Sequence, residues 1–294
     1  MTGPAVFESL RSIASPGLDR TMKAITDLGS SSFYMLVVPV IYWCVNKSLG
    51  FGLGIVTSIS SYINVGLKCV FKVPRPYVAY PRLGAPAFLT DTGTGWSFPS
   101  GHAQGLSTFW TYIARRVRRT WATVAGIAIV VAVAFTRVYA TCHYPEDVVV
   151  GAALGLIIAW AYVASEGHFA RTGNPVSIQG RLAASIAAPI VVFALSSIDP
   201  TLARGSSELL GFLLGLGVGH VIEDAYVKYD VRAGLPVQAA KVVLGLGALL
   251  GIRYGLKAIF PPHAFWNMLR YAIMALWGAL GAPMAFKALF RTHA

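Results

Sequence analysis

The chain has 294 residues, of which 55% are hydrophobic and only 12% charged, against roughly 25% charged in an ordinary soluble domain. A mean hydropathy of +0.62 and repeated apolar runs near membrane-spanning length exclude a secreted globular enzyme, a coiled coil and a disordered chain. The charge is lopsided, 24 Lys and Arg against 12 Asp and Glu for a formal net of +12, which cytoplasmic-side loops or a bound anion would each account for. In residues 1–30, Val6, Leu10 and Ile13, then Met22 and Ile25, fall at helical spacing around a break at Pro16-Gly17. This predicts an amphipathic segment on the bilayer surface, or else a cap packed on the bundle. Acidic Glu8, Asp19 and Asp27 precede the first apolar run, which argues against a cleaved signal peptide.

About nine apolar helices follow, over approximately 31–45, 50–70, 100–115, 121–140, 147–165, 182–198, 206–224, 237–258 and 265–290. Backbone groups find no water in lipid, so these runs are expected as helices of an all-α polytopic bundle. The alternating ten-residue segments of a β-barrel are absent. Cys44, Cys69 and Cys142 are an odd set without a CxxC pair and suggest neither zinc nor a disulfide framework. With nine spans, the long Pro74–Pro99 loop, the 141–146 turn and the 199–205 and 259–264 loops share the side of the N-terminus. About half of the 24 basic residues lie on each side. The dense Arg115, Arg116, Arg118, Arg119 cluster, in a short loop on the other side, marks that side as cytoplasmic.

Three patches on the first side combine cations and histidines. Lys68 ends the second span, and Arg75 follows between Pro74 and Pro76, which stop the helix. Thr57, Ser61 and Asn64 continue the Lys68 face and should look into the bundle. Pro99-Ser100-Gly101-His102 opens the third span. Ser100 suits an N-cap, Gly101 admits close approach of a ligand, and a helix N-terminus favours anions. Thr136-Arg137 through His143 to Asp147 joins the fourth and fifth spans. Pro145 fits the first helical position, so Asp147 falls near N3, from where its carboxylate can reach back to His143. A cation pair that merely snorkels, or an Asp that merely caps, would explain one patch but not all three.

Lys68, Arg75 and Arg137, one anion-binding helix terminus, and two imidazoles are what phosphoryl transfer requires. Cations neutralise the equatorial oxygens, one imidazole attacks, and the other protonates the leaving oxygen. Glu146 and Asp147 are the only acids nearby, so no cofactor and no metal are expected.

Lys68-x6-Arg75-Pro76, Pro99-Ser100-Gly101-His102 and Arg137-x5-His143-x3-Asp147 resemble the three motifs of the type 2 phosphatidic acid phosphatase (PAP2) superfamily, in the family's order. The resemblance covers about residues 50–165. It implies that His143 is a nucleophile forming a phosphohistidine, that Asp147 orients it, and that His102 is the general acid. It also implies that Lys68, Arg75, Ser100, Gly101 and Arg137 bind the phosphoryl group. Thr136 departs from the family's usual Ser but keeps the hydroxyl. The expected organisation is an interfacial segment over 1–30, a PAP2-like catalytic core over 31–165 and additional spans over 166–294. The family's membrane branch implies a lipid phosphatase acting on phosphatidate, sphingosine phosphate or a prenyl diphosphate at the extracytoplasmic or lumenal surface. A lipid phosphotransferase, a glucose-6-phosphatase-like enzyme and a silent transporter or scaffold stand as alternatives. The bilayer is the expected partner and nucleic acid is not. Among the last spans, Arg253, Lys257 and Arg270 are candidates for a second phosphate or for simple snorkelling, and His220, Glu223 and Asp224 are assigned no function.

Overall fold

The computed structural model describes residues 2–83, 95–172 and 176–290, and all regular structure among them is helical. In chain order the α-helices are α1 (Pro4–Ser12), α2 (Pro16–Asp27), α3 (Ser31–Cys44), α4 (Lys47–Phe71), α5 (Pro76–Ala79), α6 (Gly101–Val117) and α7 (Thr120–Tyr139), followed by α8 (Pro145–Thr172), α9 (Ile178–Ser196), α10 (Pro200–Ile222), α11 (Leu235–Ile259), α12 (Ala264–Leu276) and α13 (Ala282–Phe290). Single π-helical turns prolong α10 over Glu223–Val227 and join α12 to α13 over Trp277–Gly281.

Among the described residues seven helices are long and apolar enough to cross a membrane, or eight if the bent pair α2–α3 counts as one span. The protein is therefore a multi-pass membrane protein, and seven of the nine expected runs coincide with these spans. The other two differ for physical reasons. The 31–45 run forms α3, whose 14 residues reach only about 21 Å. The 100–115 run forms α6, 17 residues long, and its Gln104, Ser107 and Thr108 are buried in the protein instead of facing lipid.

The chain divides into two compact units, Met1–Tyr34 with Ile59–Arg171, and Met35–Ser58 with Thr172–Ala294. In the first, α4 and α6 are joined by a polar ladder. Asn64 Nδ2 donates to Gln104 Oε1 at 2.8 Å, Gln104 Nε2 donates to the Ser60 carbonyl at 2.8 Å, and the Ser60 and Thr108 hydroxyls bond at 2.8 Å. The polar face expected on α4 is thus interior, but Ser60 and not Ser61 carries it. Ser60, Asn64 and Lys68 are spaced four apart, which keeps them on one narrow face of a 3.6-residue helix. On α8, Gly151 and Gly155 let another backbone come close. A Cβ at Gly151 would meet the Ser100 carbonyl at 2.6 Å, and one at Gly155 would meet the Gln104 carbonyl at 2.2 Å. This small-xxx-small pair seats the start of α6 against α8.

The amphipathic N-terminal segment turns its apolar face to this unit. Phe7 is fully buried in a cluster with Ala103, Val138, Tyr144 and Val148, while Ile13 remains 61% exposed. The segment packs as a cap on the residues that flank the motifs. In the second unit, Gly211 and Gly215 of α10 lie against the Met268 and Ala272 carbonyls, where a Cβ would sit at 2.0 Å from each. Its interior holds further polar pairs: Lys47 pairs with Glu223 at 3.0 Å, the Tyr229 amide donates to Glu223 at 2.7 Å, and the Tyr42 hydroxyl lies 3.1 Å from His220 Nδ1.

Candidate active site

All three motif patches lie in the first unit. Helix α4 ends at Phe71, and Lys72 adopts a left-handed turn at φ 49°. Arg75 is then extended and caps α5, with Pro76 as its first residue. Lys68 and Arg75 are thus not on one helix, yet both reach the same stretch of chain. Lys68 Nζ donates to the carbonyls of Trp96 at 2.6 Å and Ser97 at 3.0 Å, and Arg75 Nε donates to the Gly95 carbonyl at 2.9 Å.

The third patch folds back on itself. Thr141 takes a left-handed conformation at φ 55°, and the amides of Cys142 and His143 both donate to the Arg137 carbonyl at 3.1 and 3.2 Å. That tight turn returns His143 over Arg137. Pro145 then starts α8 and sets Asp147 at N3. Asp147 Oδ2 accepts from the Tyr144 amide at 3.0 Å and lies 3.3 Å from His143 Nδ1. This is the reach-back expected of an N3 carboxylate.

His143 is consequently addressed at both ring nitrogens. Nδ1 faces Asp147, and Nε2 lies 3.1 Å from Arg75 Nη1, which also donates to the Cys142 carbonyl at 2.8 Å. A guanidinium can only donate, so these partners assign the lone pair to Nε2 and the proton to Nδ1. His143 and Asp147 are each 2% exposed at the side chain. Burial, and next the positive charges of Arg75, Lys68 and Arg137, hold the His143 imidazole well below its ordinary pKa, which favours the neutral, nucleophilic form.

Ser100 stands at the N-cap of α6 as expected, but its side chain does not cap. Its Oγ is buried without a hydrogen-bond partner among the described residues, and so is His102 Nε2 in the first turn. Buried orphaned polar atoms call for an explanation, and an oxygen-rich anion at this helix start supplies one. Gly101 lies against Asn64, whose Oδ1 would be 3.1 Å from an added Cβ. Arg137 is fully buried, and its Nη1 donates to Thr26 Oγ1 at 3.1 Å.

Ser97 was not legible as a site residue. It is fully buried, donates a short hydrogen bond to Asp147 Oδ2, and lies 3.4 Å from His143 Nδ1. It stands two residues ahead of the second motif, where only its position beside Pro99-Ser100 could have drawn notice. Among the described residues no group of three or more His, Cys, Asp or Glu could share a metal ion. In the second unit, Arg270 faces the Glu208 carboxylate at 3.6 Å, and Arg253 Nη1 lies 3.1 Å from Met35 Sδ.

The three motif patches thus bring together a buried histidine held by a carboxylate, the cations Arg75, Lys68 and Arg137, and an α6 start whose N-cap side chain makes no capping bond. The family model of the PAP2 superfamily matches residues 49–169, and that of the PAP2 superfamily phosphatase transmembrane extension matches residues 207–293. Together they cover more than half of the chain, which belongs to the PAP2 superfamily of phosphatases. It is 27% identical over 154 residues to glucose-6-phosphatase 2 of Mus musculus, covering 43% of each chain. It is 25% identical over 166 residues to glucose-6-phosphatase 3 of Rattus norvegicus, covering 49% of this chain and 48% of that one. The aligned region thus spans less than half the length of these relatives. A solved PAP2-type phosphatidylglycerolphosphate phosphatase from Bacillus subtilis is 24% identical, with a TM-score of 0.47, covering 56% of this chain and 84% of that one.

Proposed function

We propose that this protein is a membrane phosphatase that removes phosphate from a lipid phosphate or diphosphate through a phosphohistidine on His143, without a metal ion. The observation that carries this reading is the two-sided hold on His143, with Asp147 at Nδ1 and Arg75 at Nε2. A phosphoryl group that takes over the Arg75 Nη1 donor releases the Nε2 lone pair toward phosphorus. Nε2 bonds to phosphorus as the P–O bond to the leaving alcohol breaks, and His102 gives that oxygen its proton. Lys68, Arg75, Arg137, Ser100 and the Gly101 amide hold the equatorial oxygens, while Asp147 balances the imidazolium charge through Nδ1. Water then attacks phosphorus, His102 recovers a proton from it, the P–N bond breaks and inorganic phosphate leaves.

The site opens α6 at Ser100, and the arginine cluster closes the same helix at Arg115–Arg119. Seventeen residues separate the two ends by about 26 Å. With the cluster on the cytoplasmic side, the site lies at the extracytoplasmic or lumenal surface. The relatives named as glucose-6-phosphatases support a second reading in which the phosphate ester is a soluble sugar phosphate.

Rapid acid–base quenching of purified protein with ³²P-labelled substrate tests the mechanism. We expect a protein-bound phosphate that is labile to acid and stable to alkali, lost with phosphate release in His143→Ala. Retained label in that variant, or activity abolished by EDTA, would sink the proposal. A panel of phosphatidate, sphingosine phosphate, prenyl diphosphate and glucose 6-phosphate ranks the substrates, and appearance of a new phosphorylated lipid in place of free phosphate would identify a transferase.

A further inference from the structure

The N-terminal segment meets the third motif at four points, in reverse order. Thr26 Oγ1 accepts from Arg137 Nη1 at 3.1 Å, and Asp19 Oδ1 accepts from the Tyr139 hydroxyl at 2.6 Å. The Phe7 and Tyr144 rings meet edge to face at 5.8 Å, and the Glu146 carboxylate accepts from the Thr2 amide at 2.8 Å and the Thr2 hydroxyl at 2.7 Å. Positions 26, 19, 7 and 2 thus pair with 137, 139, 144 and 146. All four anchors lie ahead of residue 49, where the match to the superfamily model begins. A generic amphipathic helix at a membrane surface has no need of such a register.

The end of this segment also reaches the second motif. A Cβ on Gly29 would lie 2.9 Å from His102 Cδ2 and 3.3 Å from His102 Cβ. The imidazole is therefore seated in the space that glycine leaves. Thr26 is 1% exposed, so its hydroxyl is a dedicated acceptor for a buried guanidinium and not a solvated surface group.

We infer that Thr26 and Gly29 are positioning residues of the phosphoryl site: Thr26 fixes the Arg137 guanidinium toward the phosphoryl oxygens, and Gly29 sets the seat from which His102 serves the leaving oxygen. This rests on the roles proposed above for Arg137 and His102. It extends the active site to a segment outside the region the family model matches.

The two residues make separable predictions. Thr26→Val keeps shape but removes the oxygen that accepts from Arg137 Nη1. It should raise KM and the inhibition constant of inorganic phosphate about tenfold, and Thr26→Ser should restore both to within about twofold. Gly29→Ala should lower kcat about tenfold and leave the phosphate inhibition constant unchanged, because it displaces the acid and not the anion cradle. Thr21→Val, the same change at an exposed position whose hydroxyl donates back to the Gly17 carbonyl, should change nothing. Thermal midpoints in detergent separate these effects from unfolding, and the Thr26 series decides alone if Gly29→Ala does not fold. The inference fails if Thr26→Val matches wild type while Arg137→Ala is inactive. If Arg137→Ala and His102→Ala are themselves active, the reading of the site fails, and this inference with it.

Discussion

At the scale of single residues, the site turns on which nitrogen of His143 carries the lone pair. Ser97 and Asp147 share Nδ1, and Ser97 also donates to the carboxylate. Ser97→Ala should therefore lower kcat by about tenfold with little effect on KM, less than the loss in Asp147→Ala, as steady-state phosphate release would show. The same environment sets a pH dependence. Folded His143 binds its proton less readily than the unfolded imidazole, which titrates near about 6.5. The folded state then loses stability as pH falls below that value, and the acid limb of kcat/KM should lie below about 6.5. An acid limb at or above the unperturbed value would contradict the neutral ring described here.

At the scale of elements, the motif spacing and the proline and capping signals made the chemistry readable. Pro145 at the first position of α8 does place Asp147 at N3, α4 does end ahead of Pro74, and Pro76 opens the short α5 after the turn. What stayed hidden depends on contacts distant in sequence. Ser60 could not be preferred to Ser61 without knowing where Gln104 lies, and Ser97 has no local pattern at all. The Gly151–Gly155 pair takes its meaning only from the approach of α6. Gly155→Ala forces a Cβ to within 2.2 Å of the Gln104 carbonyl, so the helices must part. We expect about 1–3 kcal/mol of destabilisation and reduced activity per folded molecule, read by thermal unfolding in detergent alongside phosphate release.

At the scale of the whole molecule, the two ends of α6 make orientation testable. In a background lacking Cys44, Cys69 and Cys142, a membrane-impermeant maleimide should label Arg82→Cys from the extracytoplasmic side of sealed cells or vesicles and Arg118→Cys only after permeabilisation. The opposite pattern would place the catalytic surface in the cytoplasm.

The N-terminal tie has a further consequence for how the protein is made. Its hydrogen bonds join residues 111 to 144 positions apart, so the first helices leave the ribosome long before their partners exist. Closing loops of that length costs little more than closing shorter ones, so thermodynamics does not forbid the wait. Order of synthesis does impose a schedule. His143 and Asp147 cannot join Lys68 and Arg75 until the start of α8 has emerged, and the tie from Thr2 and Thr26 to Glu146 and Arg137 closes only after that.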